Sequence, residues 1–122
     1  MNNIFFFDSY AVIEILKGNP DYQPYTECNI LLTKLNLFEV HYNLMRGSSE
    51  KEAATFLKKY SKFAVDFDEN IIREASRLKL DNRKRNISMA DCIGFMVAKR
   101  LGIKFLTGDK EFENVPGVEF VK

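Results

Sequence analysis

The chain has 122 residues, 46% of them hydrophobic, and a formal net charge of +1. This suits one domain over residues 1–122, is too apolar for wholesale disorder and gives no bulk charge for a polyanion. No apolar run approaches the ~20 residues that span a bilayer, and the N-terminus lacks the basic region and cleavage site of a signal peptide.

Ile4 to Phe7 is a continuous apolar run of strand length, as expected for a strand buried on both faces. Asp8 or Ser9 caps a helix from Tyr10 to Lys17, which stops at Gly18-Asn19-Pro20. Pro20 to Glu27 reads as loop or short helix, and Asn29 to Thr33 as a second strand. Leu35 to Met45 is helical, with Leu35, Phe38, Tyr42 and Met45 as its apolar stripe. Gly47-Ser48-Ser49 breaks it, and Ser49 to Tyr60 follows as a helix with Ala53, Phe56, Leu57 and Tyr60 inward. Phe63 to Phe67 alternates like a short strand, and Asp68 caps a helix carrying Ile71, Ile72, Ala75 and Leu78. Ser88 to Leu101 is an apolar helix ended by Gly102, Ile103 to Leu106 is a strand, and Val118 to Val121 reads as another. Strands alternating with helices predict a parallel sheet covered on both faces, with ligands collecting beyond the strands' carboxyl ends.

Cys28 and Cys92 have no CxxC spacing and no histidine pair at zinc spacing, so both read as reduced thiols of a cytoplasmic protein. His41, the single histidine, reads as a helix-surface residue, and no phosphate-binding glycine loop is present.

Four acids stand beside apolar sequence, where a charge is costly: Asp8, Glu39, Asp91 and Asp109. Each has a plain structural account. Asp8 serves as an N-cap, and Asp91 as the third position of a Ser88-Met89-Ala90-Asp91 capping box. Asp109 serves as a turn residue after Gly108, and Glu39 as a solvated helix residue. Taken singly, those accounts match a functional one. Taken together, four acids bordering core faces favour a metal site. Clustered carboxylates repel by roughly 3 kcal/mol per pair at ~6 Å and an effective dielectric of ~20. A divalent ion turns that repulsion into attraction, and hard oxygen ligands suit Mg²⁺ or Mn²⁺. Ser9 and Thr107 stand beside Asp8 and Asp109, where a hydroxyl orients a carboxylate or a bound water, and Asn36 stands one turn before Glu39.

Four segments carry a resemblance to a known family. They are Ile4-Phe5-Phe6-Phe7-Asp8-Ser9, Thr33-Lys34-Leu35-Asn36-Leu37-Phe38-Glu39-Val40, Ile87-Ser88-Met89-Ala90-Asp91-Cys92 and Leu106-Thr107-Gly108-Asp109-Lys110-Glu111-Phe112, followed by Val115-Pro116-Gly117-Val118. In this order they resemble the PIN domain family, most of all the small VapC-type ribonuclease toxins. The resemblance implies an α/β three-layer sandwich with a mainly parallel sheet of four or five strands. It implies a Mg²⁺- or Mn²⁺-dependent ribonuclease, with Asp8, Asp91 and Asp109 as metal ligands and Glu39 as a ligand or as the group orienting the attacking water. It also implies a homodimer restrained by an antitoxin that presents Arg or Lys to the acids. Tyr10 is bulkier than the family's usual residue, and Asn36 replaces a frequent Ser or Thr.

Lys58, Lys59 and Lys62, the run Arg83-Lys84-Arg85, and Lys99-Arg100 are candidate contacts for an RNA backbone. Apolar residues on the helices at Tyr10 to Lys17 and Ser49 to Tyr60 point to a dimer or partner surface. Three other readings are weighed against this one. A receiver domain wants an acidic pair after the first strand, and a dehalogenase-like phosphatase wants Asp-x-Asp where Tyr10 stands. A noncatalytic RNA-binding relative would be expected to have lost some of the four acids.

Overall fold

The computed structural model describes residues 3–122; Met1 and Asn2, part of the domain expected over 1–122, lie outside the described residues. Four strands form one all-parallel sheet in the order β2-β1-β3-β4. They are β1 (Ile4–Phe7), β2 (Asn29–Leu31), β3 (Lys104–Thr107) and β4 (Val118–Phe120). Five α-helices accompany them: α1 (Ser9–Leu16), α2 (Lys34–Gly47), α3 (Glu50–Tyr60), α4 (Glu69–Asp81) and α5 (Met89–Leu101). A 3₁₀ segment, Pro20–Tyr25, connects α1 to β2.

Strand alternation sorts the core into two layers. On β1 and β3, Phe6 and Phe105 face one way and pack with Ile71, Ala75, Ile93 and Val97 of α4 and α5. Their neighbours Phe7 and Leu106 face the other way, against Ala11, Val12, Leu37, Val40, Phe56 and Tyr60 of α1, α2 and α3. The molecule is therefore a three-layer α/β sandwich, with the period-two strands buried on both faces as their sequence requires. Gly94 lets α5 lie close on the sheet, because a Cβ there would stand 2.6 Å from the Phe6 ring and 3.2 Å from Phe105.

Two expectations are corrected. Phe63 to Phe67 is no strand: Ser61–Phe63 is a 3₁₀ turn, and one isolated bridge joins Ala64 to Leu32. Phe63 and Ala64 pack into the α1–α3 layer, whereas Val65 and Phe67 pack into the α4–α5 layer. The segment passes from one layer to the other beside Leu32, and this crossing prevents an extended ladder.

The inward face of α2 is the second correction. Asn36, Leu37 and Val40 are buried, while Phe38, Tyr42 and Met45 are exposed. Leu57 of α3 and Ile72 of α4 are likewise more exposed than their spacing suggested. The apolar surplus expected on α1 and α3 thus lies chiefly on α2, with Phe38 at 71% exposure, and is joined by Met89 of α5, also at 71%.

The order β2-β1-β3-β4 places the connections from β1 and β3 on opposite sides, so a crevice opens between these neighbours at their carboxyl ends. Phe7 and Leu106 are register partners, and the Asp8 amide donates to the Leu106 carbonyl at 3.2 Å. Backbone pairing alone therefore sets Asp8 beside Thr107, two residues before Asp109.

Candidate metal centre

Asp8 leaves β1 and caps α1. Its Oδ1 accepts the Ala11 amide at 2.9 Å, and the side chain is almost wholly buried. Burial pushes its pKa up to about 8 against hydrogen bonds from Thr107 and Ala11, and the charges of Asp91 and Asp109 push the same way. Asp91 is the third residue of α5 in a capping box: Ser88 Oγ accepts the Asp91 amide at 3.1 Å, and Asp91 Oδ2 accepts the Ser88 amide at 3.4 Å. Its pKa is pushed up to about 6, first by burial and then by Glu39 and Asp109.

Asp109 follows β3. Its amide donates to Thr107 Oγ1 at 3.0 Å, and its Oδ1 accepts the Glu111 amide at 3.0 Å. Glu39 sits in α2 and is tied to the start of α1 by a directed hydrogen-bond chain. Asn36 Oδ1 accepts from the Thr33 amide and hydroxyl, and Asn36 Nδ2 donates to Ser9 Oγ at 3.1 Å. Ser9 Oγ then donates to Glu39 Oε1 at 2.6 Å.

The capping accounts of Asp8 and Asp91 and the turn account of Asp109 fit these contacts, and they do not exhaust the side chains. Each commits one oxygen to a backbone amide, and Asp8 accepts the Thr107 hydroxyl as well. Asp8 feels the charges of Asp91 and Asp109, and Asp91 feels those of Glu39 and Asp109. Among the described residues, none of the four forms an ion pair with a basic side chain. The described residues contain no group of three or more His, Cys, Asp or Glu side chains already arranged to hold an ion. Carboxylates that repel without a counter-ion are expected to stand apart. The donor set itself, four carboxylates with hydroxyl and amide partners and no cation, fits a hard divalent ion.

Asn36, the departure from the usual Ser or Thr, is fully buried and bridges Thr33 to Ser9. An amide can accept from one neighbour and donate to the next, which extends the chain across two elements. Tyr10 is accommodated by Gly108, since a Cβ at Gly108 would collide with the Tyr10 ring and with the Val121 carbonyl.

The basic clusters separate. Arg100 pairs with Asp68 and Glu74, and lies nine residues past Asp91 on α5, roughly 13 Å along the axis. Lys59 and Lys62 stack over their own neighbours Tyr60 and Phe63. The run Arg83-Lys84-Arg85 lies in the connection leading to Ser88 and Asp91, and Lys110 directly follows Asp109.

The PIN domain family model matches residues 5–118, and the chain belongs to that family. No curated protein matches it. Several solved structures share its fold. A chain of a toxin–antitoxin complex from Klebsiella pneumoniae is 18% identical with a TM-score of 0.73, over 94% of this chain and 95% of that one. A chain of VapBC2 from Rickettsia felis, bound to a DNA fragment from its promoter, is 16% identical with a TM-score of 0.70, covering 98% and 99%. A chain of VapBC-1 from nontypeable Haemophilus influenzae is 16% identical with a TM-score of 0.69, covering 96% of each.

Proposed function

We propose that the protein is a metal-dependent endoribonuclease of the VapC type, acting in the cytoplasm as the toxin of a toxin–antitoxin pair. The observation that carries this reading is the uncompensated set of acids: Asp8 buried, Asp91 half-buried, both pushed toward protonation, and neither in an ion pair with a basic side chain among the described residues. Such an arrangement is costly for a fold unless something cationic occupies it.

Asp8, Asp91 and Asp109 would hold Mg²⁺ or Mn²⁺ through the oxygens their caps leave over. When bound, such an ion lowers the pKa of a water and offsets charge growing on a phosphodiester. Glu39 serves as a further ligand or orients the attacking water. Ser9, held by Asn36, fixes Glu39 Oε1 as an acceptor and leaves Oε2 for that task. Thr107 bonds to Asp8 and to the Asp109 amide, and so ties the two strand-end carboxylates together. Exposed Lys84 and Lys110 are the cations best placed for an RNA backbone beside Asp109.

For the partners, the exposed stripe of Phe38, Tyr42 and Met45 supports a covering protein. Phe38 adjoins Glu39, so an antitoxin seated on this stripe reaches the acids with an Arg or Lys side chain. A homodimer would bury other exposed apolar residues, among them Leu57 and Leu101.

Incubating purified protein with RNA in Mg²⁺, Mn²⁺ or EDTA tests the proposal. Cleavage with either metal, lost in EDTA and in Asp8→Asn, is expected. RNA binding without cleavage under all conditions would instead mark a noncatalytic domain.

A further inference from the structure

Arg85 belongs to the basic run that a sequence reading assigns to RNA. In the structure its guanidinium turns inward along the surface: Nε donates to Glu111 Oε1 at 3.0 Å, and Nη2 donates to the Glu111 backbone carbonyl. Glu111 is the residue whose amide donates to Asp109 Oδ1. One guanidinium therefore grips, by side chain and main chain together, the residue that orients Asp109.

The other end of the link is equally fixed. The Arg85 amide donates to the Asn82 carbonyl at 2.9 Å, and Lys79 Nζ donates to the Ile87 carbonyl at 2.7 Å. Ile87 is buried and is followed by Ser88, the cap that holds Asp91. The connection from α4 to α5 is thus pinned on one side to α4 and on the other to the turn after β3. Arg83, meanwhile, caps the end of α4 through the Leu80 carbonyl.

We infer that Arg85 is a positioning residue: through Glu111 it fixes the segment that carries Asp109 relative to the segment that carries Asp91. The inference rests on the metal-site reading above. Asp91 opens α5 and Asp109 follows β3, the next element of the chain, so the helix and strand between them set the two acids at the far ends of one α–β unit. The Arg85–Glu111 contact is the ion pair that joins their two segments among the described residues. A fork that makes two contacts holds an orientation that a point charge does not.

The test is Mn²⁺ binding by titration calorimetry to the full chain without RNA, comparing wild type, Arg85→Gln, Arg85→Lys and Glu111→Gln. The sign discriminates between the explanations. Deleting a cation near an acidic site strengthens Mn²⁺ binding by charge alone. A lost strut weakens it, on the order of tenfold. We expect weaker binding in Arg85→Gln and partial recovery in Arg85→Lys. Because the Glu111 carbonyl still accepts from Arg85 in Glu111→Gln, the double variant should lose more than Glu111→Gln and less than the sum of the two single losses. Apo melting should move by only about a few degrees, since both side chains are partly exposed. Tighter or unchanged Mn²⁺ binding in Arg85→Gln overturns the inference. A wild-type chain that binds no Mn²⁺ removes the metal reading and the strut with it. Wild-type binding that survives in every variant removes the strut alone.

Discussion

Asp8→Asn should make the metal-free protein more stable at neutral pH, although it removes a residue proposed for catalysis. Asn keeps the Oδ1 that accepts the Ala11 amide, so the cap of α1 survives, and it does away with the proton uptake that burial forces on Asp8 when the chain folds. The folded pKa of Asp8 is about 8 against 3.8 for the free group. Between those values the folded state holds a proton that the unfolded state has released. Stability therefore falls as pH rises through that window, by at most about 1.4 kcal/mol per pH unit for one group. Asp91, with a folded pKa of about 6, adds to the slope only in the lower half of the window. From pH 6 to pH 8 the decline is then chiefly that of Asp8, at most about 3 kcal/mol. Urea melts in EDTA at pH 6, 7 and 8 measure it. Wild type should lose stability across this range while Asp8→Asn stays nearly level. A saturating divalent ion should reverse the ranking by stabilising wild type selectively. A wild-type protein as stable at pH 8 as at pH 6, or a variant less stable than wild type at pH 8, would refute the reasoning.

Asp91→Asn should abolish metal-dependent cleavage with an apo melting temperature equal to or slightly above wild type, since the amide still accepts the Ser88 N–H. A large loss of stability with cleavage intact would make Asp91 a cap only. Ser9→Ala leaves Glu39 without its donor, and turnover should fall by one or more orders of magnitude while stability changes by ~1 kcal/mol. Unaltered turnover would remove Ser9 from the site. In Gly94→Ala the added Cβ meets a fully buried Phe6 ring stacked on Phe105, so the clash of about 1–3 kcal/mol outweighs a helix-propensity gain of about 1. Denaturant melts check the sign. Phe38→Asp should leave the isolated chain within about 0.5 kcal/mol of wild type and weaken its hold on an antitoxin, read by melts and by pull-down with the cognate protein.

Much of this molecule could be read before its structure. The run Ile4 to Phe7 is apolar because both its faces are covered, as are those of the other central strand, β3. The four acids were visible because each breaks an apolar context. What misled was α2, whose sequence carries two overlapping apolar stripes. Leu37 and Val40 face the core together with the polar Asn36, while Phe38, Tyr42 and Met45 are exposed and Leu35, at the head of the same stripe, packs against the α4–α5 layer. Periodicity reports that a face is apolar and is silent on whether the fold or a partner covers it. The buried Asn36 reversed the cue, because a polar residue inside is tolerated only through bonds to Thr33 and Ser9 that lie outside its own helix or at its edge. The segment 63–67 was misread for a related reason. Alternation marks which side chains are buried, yet here successive buried residues enter different layers. The Arg85–Glu111 link, spanning 26 residues, has no local signature at all.

The most direct test of the central claim is anomalous diffraction from crystals of the protein soaked in Mn²⁺. The account predicts a peak among the carboxylates of Asp8, Asp91 and Asp109, with Glu39 adjacent, and its loss in Asp8→Asn. Mn²⁺ bound elsewhere, or a well-diffracting soaked crystal with nothing between those acids, would contradict it.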